Sequence, residues 1–398
     1  MNLDNLQNID DADVAGKKVL LRADLNVPMQ NGKVSDATRL TRLLPGLRAL
    51  SQRGAKVIVL SHFGRPKGQR SPDMSLEPVA GELAVLANQP VHFVNDCVGP
   101  AAKQAIDSLA DGAILVLENL RFHAGEEHND PGFVASLAEL GDIYVNDAFS
   151  AAHRAHASTE GLAHKMPGYA GPLMMEEINA LRSALDNPER PTVALVGGAK
   201  VSSKIPVLTN LVSKVDNLII GGGMANTFLL ARGYAIGQSL AETDQKDTAL
   251  EILANAAANE CSIVLPIDVI VAAKFEAGAA NREVGIDGVG DNEMILDVGS
   301  QSVALMKDVI ANCRTLLWNG PLGAFEIEPF GKGTFTLAQA AADLTKIGKL
   351  ATIAGGGDTV AALNSADVAD DFTYVSTAGG AFLEWLEGRE LPGVSSLT

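Results

Sequence analysis

Residues 193–204 read VALVGGAKVSSK. A short apolar run, typical of a buried strand, ends in two glycines, and a lysine, two serines and a second lysine follow. This composition suggests a loop that holds phosphate. The spacing is not that of the P-loop G-x-x-x-x-G-K-S/T, because no glycine precedes Lys204. The stretch therefore predicts a strand whose C-terminal end meets an anion through a different arrangement.

The same unit, an apolar run that ends in glycines and continues into a helical pattern, recurs through the second half of the chain. Its further copies are NLIIGGGMANTFLLARG (217–233), LATIAGGGDTVAALNSA (350–366) and TYVSTAGGAFLEWLEG (373–388). In the first half, four apolar runs end instead in polar or basic residues: VLLRADLNVP (19–28), KVIVLSHFGRP (56–66), AILVLENLRFH (113–123) and DIYVNDAFSAAHRAH (142–156). Apolar runs that alternate with helical patterns predict buried parallel strands with crossover helices.

The chain is therefore predicted to be an α/β protein with two doubly wound parallel-sheet, Rossmann-like domains joined by a helix. The segment 166–191 separates the two halves, and Pro and Gly mark its ends. Its apolar residues fall on one helical stripe: Met174, Ile178, Leu181 and Leu185. We expect domains at 1–172 and 190–387 and an interdomain helix and hinge at 173–189, with the helix itself at about 173–186. An ordinary helix inside one larger domain is the alternative.

The composition limits what the chain binds. The 398 residues carry a net charge of −17, which argues against general nucleic-acid binding. No apolar run reaches the ~18–20 residues of a membrane span, and the acidic N-terminus has no apolar signal core. Cys97, Cys261 and Cys313 are too far apart for a zinc motif or a disulfide framework. We expect a cytoplasmic protein with reduced thiols and no nucleic-acid or membrane partner.

Basic residues gather at the predicted strand ends of the first half. The arginines are Arg22, Arg39, Arg65, Arg121 and Arg154, and the histidines are His62, His123, His153 and His156. Arginine suits phosphate and carboxylate because its planar fork donates two parallel hydrogen bonds. Asp24 and Asn26 alternate along one predicted strand, which Pro28 ends, so both point to one face.

Ligands of such sheets bind beyond the carboxyl ends of the strands, so the pattern predicts a site for a small, multiply charged anion. Three alternatives remain open. Any single arginine could be solvated at the surface. Arg22 could be the partner of a buried acid. The stretch 118–130, ENLRFHAGEEHND, could be a polar loop without a ligand.

In the second half of the chain the expected contacts to a ligand come from the backbone, whereas in the first half they come from side chains. Glycine groups are expected to precede helices at Gly197–Gly198, Gly221–Gly223, Gly355–Gly357 and Gly379–Gly380. Glycine lets a ligand approach the main chain, and helix N-termini supply N–H donors for phosphate. Lys200 and Lys204 flank the first turn and could reach phosphate oxygens. Asp358 is a candidate ligand for Mg²⁺ or a plain N-cap. Glu326, in the Pro/Gly-rich loop 316–334, binds ribose hydroxyls or faces water.

Several enzyme classes lack their sequence signature here. The dinucleotide pattern G-x-G-x-x-G is absent, which disfavours a nicotinamide-dependent dehydrogenase. The patterns G-x-S-x-G and H-E-x-x-H are absent as well. A dehydrogenase of unusual sequence and a non-catalytic nucleotide-binding or scaffold protein remain the alternatives to a phosphate-handling enzyme.

Eight segments occur in a familiar order across nearly the whole chain: LRADLNVP, SHFGRPKG, ENLRFHAGEE, AHRAHAS, VGGAKVSSK, GGGMANTF, LWNGPLGAFE and AGGGDT. Together they closely resemble the phosphoglycerate kinase family. The resemblance implies reversible, Mg²⁺-dependent transfer of a phosphoryl group from 1,3-bisphosphoglycerate to ADP, which gives 3-phosphoglycerate and ATP, in glycolysis and gluconeogenesis. It also implies a monomer with an N-terminal 3-phosphoglycerate domain and a C-terminal nucleotide domain. A tail at about 388–398 is expected to pack back on the first domain, a frayed terminus being the alternative.

The resemblance also implies site residues. Those at 3-phosphoglycerate are Asp24, Asn26, Arg39, His62, Phe63, Gly64, Arg65, Arg121 and Arg154. Those around ADP or ATP are Gly198, Ala199, Lys200, Lys204, Gly222, Gly223, Gly299, Asn319, Pro321, Glu326, Gly355, Gly356, Gly357, Asp358 and Thr359. The catalytic set is Arg39, Lys204, Gly356 and Gly379, and Asp358 serves the metal. The family usually reads Thr-Gly-Gly-Gly-Ala near the C-terminus, whereas this chain has Ala378 in TAGGA. The departure concerns the geometry of that turn, since Gly379 and Gly380 remain.

A dissociative phosphoryl transfer needs in-line alignment and positive charge on the equatorial oxygens rather than covalent work by the protein. We expect Arg39 and Lys204 to supply those charges and the helix-end amides at Gly355–Gly357 and Gly379–Gly380 to add to them. No general base is required, because the acceptor is an ionised carboxylate or phosphate. Substrates on separate domains must be brought into line with water excluded, so hinge bending is expected.

Overall fold

The computed structural model describes Leu3 and residues 5–398; residues 1, 2 and 4, which the first predicted domain includes, lie outside the described residues. The chain divides into two compact units. Unit 1 consists of the described residues up to Ile178 and of Glu390–Thr398, and unit 2 is Asn179–Arg389. Within the described residues each unit is built on a six-stranded parallel sheet, so the predicted fold class is confirmed.

The strands of unit 1 are short and mostly buried. They are β1 (Lys18–Arg22), β2 (Met29–Gln30), β3 (Lys33–Val34), β4 (Lys56–Leu60), β5 (Val91–Val94), β6 (Ile114–Leu117), β7 (Ile143–Asn146) and β8 (Gly168–Ala170). The main sheet has the order β5-β6-β4-β1-β7-β8, and every neighbouring pair is parallel. β2 and β3 form a separate antiparallel pair. The central strands are rich in Val, Ile and Leu because both of their faces are covered.

Helices follow most of these strands. They are α1 (Thr38–Gln52), α2 (Glu77–Ala87), α3 (Gly99–Asp107), α4 (Ala124–Glu127), α5 (Pro131–Ala138) and α6 (Leu162–Lys165). In α1 the buried face consists of Leu40, Leu43, Leu44, Leu47 and Leu50. Their spacing of three and four residues places them on one stripe, which joins the core against β1 and β4. α1 thereby fixes the position of the arginine in its first turn, Arg39.

The helix α7 (Pro172–Leu185) corresponds to the helix expected at about 173–186. The residues of its predicted apolar stripe are all buried: Met174, Ile178, Leu181 and Leu185. The first segment of unit 1 ends at Ile178 and unit 2 begins at Asn179, so the division of the chain falls inside this helix.

Unit 2 repeats the parallel architecture with a second sheet added. Its strands are β9 (Thr192–Val196), β10 (Asn217–Ile220), β11 (Ser262–Val264), β12 (Asp268–Ala272), β13 (Asn281–Gly285), β14 (Met294–Val298), β15 (Thr315–Asn319), β16 (Ala351–Gly355) and β17 (Tyr374–Ser376). The main sheet runs β11-β10-β9-β15-β16-β17, all parallel. Its helices are α8 (Ile205–Leu211), α9 (Gly222–Ala231), α10 (Lys246–Ala258), α11 (Ser300–Ala311), α12 (Lys332–Lys346), α13 (Gly357–Ser365) and α14 (Gly380–Leu386).

Two parts of unit 2 differ from the sequence-based interpretation. The segment 316–334, interpreted as a Pro/Gly-rich loop, begins within β15, which lies between β9 and β16 near the centre of the sheet. Its short apolar run is directly followed by glycine and proline, which hid the strand pattern. The antiparallel sheet β13-β12-β14 was not predicted. Its edge strand β13 is largely exposed and polar, so it carries no strong apolar signal.

Two predictions about strand and helix ends are wrong. Asp24 and Asn26 do not lie on a strand, because β1 ends at Arg22. The Asn26 N–H donates to Asp24 Oδ1 at 3.1 Å, a local bond that turns the chain just beyond the strand. Gly197–Gly198 do not directly precede a helix either, since α8 begins only at Ile205. The other three glycine groups do open helices, α9, α13 and α14.

The end of the chain packs within unit 1. The helix α15 (Pro392–Ser395) is flanked by buried Leu391 and contains buried Val394. Gly393 is bonded on both sides: its N–H donates to the Ala152 carbonyl at 2.8 Å, and its carbonyl accepts from Asn146 Nδ2 at 3.0 Å. These contacts hold the segment within unit 1.

A buried carboxyl group holds the start of α7. Asp147 follows β7, and its Oδ1 accepts hydrogen bonds from the backbone N–H groups of Leu173 at 2.7 Å and Met174 at 3.2 Å. These donors belong to the first turn of the helix, which has no intrahelical partner for them. Burial raises the pKa of Asp147 to about 7, although the two backbone donors oppose the rise.

We expect Asp147→Asn to change how the stability of the protein depends on pH. The folded pKa of about 7 lies above the unfolded value of ~3.9, so the stabilisation from this group is present at low pH and is lost as pH rises through 7. The asparagine keeps the acceptor oxygen but not the titration. The free energy of unfolding of the variant, relative to that of the wild type, should therefore rise between about pH 4 and pH 8.

Urea unfolding followed by circular dichroism at a series of pH values measures this difference. Asp130→Asn is the matched control, because Asp130 also accepts a backbone N–H at a helix start but is exposed. A relative stability of Asp147→Asn that does not vary with pH would contradict the expectation.

Candidate active site

The C-terminal ends of four neighbouring strands of unit 1, β6, β4, β1 and β7, meet at one edge of the sheet. The predicted anion-binding residues follow these ends: Asp24 and Asn26 after β1, His62, Phe63, Gly64 and Arg65 after β4, Arg121 after β6 and Arg154 after β7. Arg39 joins them from the first turn of α1. We call this set the anion cluster.

Arg39 is held by the loop that follows β1. Its Nη1 lies 3.1 Å from Asp24 Oδ2 and donates to the Asn26 carbonyl at 2.7 Å. Ser150 Oγ also donates to Asp24 Oδ2, at 2.5 Å. Asp24 therefore orients the guanidinium while its own charge is shared with a hydroxyl. About a third of the Arg39 side chain remains exposed, which leaves donors for a ligand.

A backbone carbonyl and an acidic side chain hold Arg121 in the cluster. Its Nη1 donates to the Gly64 carbonyl at 2.7 Å, and its Nε lies 3.2 Å from Glu127 Oε1. Gly64 has φ +59°, a conformation that favours glycine, and its N–H donates to Asn26 Oδ1 at 3.0 Å. Phe63 differs from its neighbours: its side chain packs in the hydrophobic core, so only its backbone borders the cluster.

The cations of the cluster disturb one another. Burial and then the Arg154 charge lower the pKa of Arg121 to about 10. Burial, Arg65 and Arg22 lower the pKa of Arg154 in the same way, while Arg65 itself is exposed. Burial, Arg121 and Arg154 lower the pKa of His156 to about 4. Several cations are thus held close together, and the nearby carboxylates do not fully offset their charge. Such an arrangement favours binding of a compact anion with several charges.

His62 is a neutral donor in this positive environment. Its Nδ1 lies 2.9 Å from Arg22 Nη2. A guanidinium can only donate, so Nδ1 must be the acceptor and the ring proton must be on Nε2. Burial first, and then the charge of Arg22, lower the pKa of His62 well below its usual value. His62 therefore offers an uncharged N–H.

Arg22 is fully buried and fixed by a chain of hydrogen bonds. Its Nε donates to Ser158 Oγ at 2.9 Å and its Nη1 to the Ala23 carbonyl at 2.5 Å. Ser158 in turn donates to both carboxylate oxygens of buried Glu126, through Oγ at 2.6 Å and through its N–H at 3.0 Å. Arg22 is thus linked to a buried acid through Ser158, which is close to the alternative that the sequence left open. We call Arg22, Ser158 and Glu126 the buried anchor.

In unit 2 a lysine and an asparagine connect the start of α8 with the ends of two strands, β15 and β16. Lys204, the residue before α8, donates from Nζ to Asn319 Oδ1 at 2.5 Å. Asn319 ends β15 and donates from Nδ2 to the Gly355 carbonyl at the end of β16, at 2.6 Å. Burial lowers the pKa of Lys204, and the charges of Asp358 and Glu387 oppose the shift. The ammonium group is thus held in place with few negative neighbours.

Glycines shape the turns beside this lysine. Gly356 has φ +100°, and a Cβ there would lie 2.5 Å from Asn319 Nδ2, so a side chain is excluded twice. The hydroxyl of Thr359 donates to the Gly355 carbonyl and accepts from the Gly320 N–H, which ties the two turns together. Gly379 also has positive φ, +55°, and precedes α14. Ala378 is buried, and its N–H donates to Ser376 Oγ.

A cavity of about 500 Å³ opens beside the glycine turns of unit 2. Seven predicted nucleotide-binding residues line it: Gly198, Ala199, Gly222, Gly223, Pro321, Glu326 and Asp358. Much of the remaining lining is apolar and comes from Leu240, Val269, Phe275 and Leu296. An apolar cavity with a few polar groups at its rim is typical of a small-molecule site.

Other predicted residues lie outside the cavity lining. Lys204, Asn319, Thr359 and the segment Gly355–Gly357 form the hydrogen-bonded group beside it. Lys200 is exposed on the loop before α8. Gly299 is buried before α11, where its N–H donates to the Asp268 carbonyl and a Cβ would overlap the Asp268 carboxylate. The structure thus explains Gly299 by packing and does not bring Lys200 or Gly299 to the cavity.

Asp358 has the surroundings that a Mg²⁺ ligand needs. It is exposed, lies in the first turn of α13 and lines the cavity. The N-cap position of α13 belongs to Gly356, so the plain N-cap role does not apply. In the described part of the chain no hydrogen bond occupies its carboxylate oxygens. A hard cation that is held mainly by phosphate oxygens and water, with one carboxylate, fits this position.

Sequence reasoning missed three features of these sites. Leu240 and Phe275 are large apolar residues that are more than half exposed, and both line the cavity. Asp297 lies in the same lining, and burial raises its pKa to about 7. These residues stand alone in loops or on the unpredicted sheet, so no motif marked them. Ser150, which bonds Asp24, is likewise an isolated hydroxyl without a sequence signal.

Comparisons with known proteins agree along the whole chain. The family model for phosphoglycerate kinase matches residues 9–389. A phosphoglycerate kinase of Chelativorans sp. (strain BNC1) is 59% identical over 385 residues, which cover 97% of each chain. That of Bradyrhizobium diazoefficiens is 60% identical over 391 residues, 98% of each chain. The structure of phosphoglycerate kinase from Coxiella burnetii superposes with a TM-score of 0.93 at 44% identity and covers 98% of both chains.

An arginine cluster for a small anion and a glycine-lined cavity flanked by a lysine, each at the strand ends of an α/β unit, define a phosphotransferase of the kinase class. The chain belongs to the phosphoglycerate kinase family. A glycolytic kinase function follows from this membership, and the predicted family is confirmed. Among the described residues, no helix has both the length and the apolar character that crossing a membrane requires.

The arrangement of Arg22 and His62 predicts a nuclear magnetic resonance signature. In ¹⁵N-histidine-labelled protein at pH 7, Nδ1 of His62 should show the shift of an unprotonated nitrogen and Nε2 that of a protonated one. Replacing Arg22 by Met removes the hydrogen-bond donor to Nδ1 of His62. The two tautomers of His62 should then mix, and its pKa should rise toward its usual value.

Arg39→Ala is the control for the loss of one guanidinium, because Arg39 bonds Asp24 and Asn26 rather than His62. Its His62 signals should resemble those of the wild type. A protonated Nδ1 in the wild-type protein at pH 7 would show that the deduced tautomer is wrong.

Proposed function

We propose that the chain catalyses the reversible, Mg²⁺-dependent transfer of a phosphoryl group from 1,3-bisphosphoglycerate to ADP, which gives 3-phosphoglycerate and ATP. The observation that carries the proposal is the anion cluster, which gathers Arg39, Arg65, Arg121 and Arg154 at the strand ends of unit 1. Burial and neighbouring cations lower the pKa values of Arg121, Arg154 and His62 in it and of the nearby His156. A coupled assay with 3-phosphoglycerate and Mg-ATP tests it. The same assay without the coupling enzyme separates a kinase from a dehydrogenase, which would change NADH absorbance alone.

In this proposal unit 1 binds the three-carbon acid phosphate. Its ligands are Asp24, Asn26, Arg39, His62, Phe63, Gly64, Arg65, Arg121 and Arg154. Arginine forks match the phosphate and carboxylate groups, while the neutral Nε2–H of His62 adds a donor without adding charge. Asp24 is placed to accept a substrate hydroxyl, since its carboxylate already faces Arg39 and Ser150. Phe63 contributes its backbone only.

Unit 2 binds ADP or ATP. The cavity lined by Leu240, Phe275 and Leu296 takes the apolar base, and Glu326 at its rim takes ribose hydroxyls. Gly198, Ala199, Gly222, Gly223 and Pro321 let the nucleotide approach the backbone. Lys204, Asn319, Gly355, Gly356, Gly357, Asp358 and Thr359 surround the phosphates. The family resemblance alone adds Lys200 and Gly299 to this site. The side chain of Lys200 is able to swing from its exposed loop toward the nucleotide.

The metal belongs at Asp358. Asp358 would hold Mg²⁺, and the ion would neutralise part of the charge of the nucleotide phosphates. Burial lowers the pKa of Lys204, and the negative charge of Asp358 opposes this shift, so the two groups interact electrostatically. In this proposal the carboxylate of Asp358 serves the metal, and the ammonium group of Lys204 serves the phosphate oxygen atoms of the nucleotide.

The transfer step uses charge and position rather than proton transfer. Arg39 from unit 1 and Lys204 from unit 2 supply positive charge to the phosphoryl group, and the N–H groups at Gly356 and Gly379 add donors at the helix starts. The acceptor, a carboxylate or a phosphate, is already ionised, so a general base has no task. Lys204 is suited to this role because its contact with Asn319 fixes the ammonium group in advance.

The proposal extends to organisation and setting. It comprises an N-terminal 3-phosphoglycerate domain at 1–172, an interdomain helix and hinge at 173–189 and a C-terminal nucleotide domain at 190–387, with the tail at about 388–398 on the first domain. Hinge bending brings the two substrates into line and excludes water. The enzyme acts as a cytoplasmic monomer that binds neither nucleic acid nor membrane.

Arg39→Ala should lower turnover by about two to three orders of magnitude, because one positive group aimed at the transferred phosphoryl is lost. Steady-state kinetics with 3-phosphoglycerate and Mg-ATP measures it. Arg42→Ala is the matched control: it lies one turn further along α1, where its Nη2 makes an exposed ion pair with Glu176 at 3.3 Å. Such pairs contribute ~0–1 kcal/mol, so its turnover should stay close to the wild type. Equal turnover in both variants would contradict the role of Arg39.

Lys204→Ala should lower turnover by about two orders of magnitude and also weaken ADP binding by about tenfold, since a charge-assisted hydrogen bond to phosphate is lost. Calorimetric titration with Mg-ADP gives the affinity and steady-state kinetics gives the turnover. Lys214→Ala is the control, because Lys214 pairs with Asp186 on the surface of unit 2. If neither quantity changes in Lys204→Ala, Lys204 only supports Asn319.

A further inference from the structure

A second group of chemically reactive side chains lies in unit 1, outside both the anion cluster and the buried anchor. Asp96 and Cys97 follow β5, and His123 ends the 3-10 turn Leu120–Phe122 that follows β6. β5 and β6 are neighbouring parallel strands, so these residues meet at one edge of the sheet. A carboxylate oxygen, the thiol sulfur and an imidazole nitrogen, one from each residue, all lie within 4.8 Å of one another.

Two of the three side chains are already oriented. His123 Nε2 lies 2.8 Å from Asp96 Oδ1, and the ring of His123 stacks on Phe133 with centroids 5.2 Å apart. Asp96 Oδ1 also accepts the Cys97 N–H at 2.8 Å, and its other oxygen lies 3.8 Å from Arg70 Nη2. Groups that bond a carboxylate and an imidazole from outside fix metal ligands before the ion arrives.

The thiol of Cys97 is the part of this group that packing alone does not explain. Its side chain is fully buried, and within the described residues it hydrogen-bonds to no other side chain. The sulfur nevertheless lies within 4.8 Å of a carboxylate oxygen of Asp96 and a ring nitrogen of His123, two kinds of atom that bind cations.

We propose that Asp96, Cys97 and His123 bind a zinc ion through one carboxylate oxygen, the thiolate sulfur and an imidazole nitrogen. Sulfur and nitrogen ligands suit Zn²⁺, whereas Mg²⁺ prefers oxygen atoms alone. Three protein ligands leave a fourth tetrahedral position for water. His123 is about one-third exposed and borders a shallow surface cavity with His128 and Asp130, which gives the ion an entry path.

Binding exchanges one set of bonds for another. The hydrogen bond between His123 and Asp96 is given up, the imidazole binds as the neutral ring with its proton on Nδ1, and the Cys97 thiol releases its proton to the solvent as sulfur binds the metal. One proton is therefore released for each ion bound, with no oxidation or reduction.

Titration of the whole protein with Co²⁺, a spectroscopic substitute for Zn²⁺, tests the proposal without relying on enzyme activity. The wild type should bind one Co²⁺ with a thiolate-to-metal band in the near ultraviolet and visible bands of tetrahedral cobalt. One equivalent of Zn²⁺ should remove both sets of bands, and a tenfold excess of Mg²⁺ should not. Calorimetric heats in buffers of different ionisation enthalpy should report about one proton released.

Cys97→Ser should abolish the near-ultraviolet band, and Cys313→Ser, which replaces another buried thiol, should leave it unchanged. His123→Gln alters a partly exposed residue and should weaken Co²⁺ binding at least tenfold. Asp358→Asn should not change it, which separates this site from the metal of phosphoryl transfer. The absence of a thiolate band in the wild type, or its persistence in Cys97→Ser, would overturn the proposal. If Cys97→Ser does not fold, an unchanged Co²⁺ affinity in His123→Gln overturns it alone.

Discussion

Repulsion between cations that the fold holds together is the constraint on which unit 1 depends. Arg121, Arg154 and His156 all have lowered pKa values because burial and their neighbours oppose their charge. A protein keeps such an arrangement only if other bonds fix it. The Gly64 carbonyl and Glu127 hold Arg121. In the buried anchor, Glu126 holds Ser158 and Ser158 holds Arg22. Arg22 then determines the protonation state of His62 from behind. In the proposed function a bound anion relieves the cost of the crowded charges, which distinguishes a binding site from a surface patch.

Unit 2 meets the same chemical demand with backbone. Its parallel strands end in glycines where a side chain would collide, as at Gly356 against Asn319, so N–H groups at helix starts are open to phosphate. Lys204 brings a full positive charge, and its contact with Asn319 at the end of β15 holds the ammonium group in place. In the proposed function the difference suits the ligands, because charged side chains would bind a small acid phosphate, whereas a nucleotide also needs an apolar cavity for its base. Recognition would then be divided between two kinds of donor.

The sequence predicted the fold class because the fold class follows from local pattern. Parallel strands are continuous apolar runs, and the residues after them must lie at one sheet edge, so Arg65 and Arg121 were expected at the edge where they follow β4 and β6. The failures also have local causes. Asp24 and Asn26 were placed on a strand because their alternation mimics one, whereas a side-chain bond to the backbone turns the chain. Leu240, Phe275, Asp297 and the anchor of Glu126 and Ser158 depend on contacts between distant segments, which one sequence does not reveal.

The central claim is that an anion relieves the repulsion within the cluster, and the pKa of His156 measures this relief directly. Nuclear magnetic resonance titration of the histidines, with and without saturating 3-phosphoglycerate, gives that pKa in both states. Without ligand it should lie near 4, because burial, Arg121 and Arg154 oppose protonation. A bound anion offsets those charges, so the pKa should rise toward its usual value, with proton uptake on binding. An unchanged pKa of His156 in the presence of bound 3-phosphoglycerate would contradict the account.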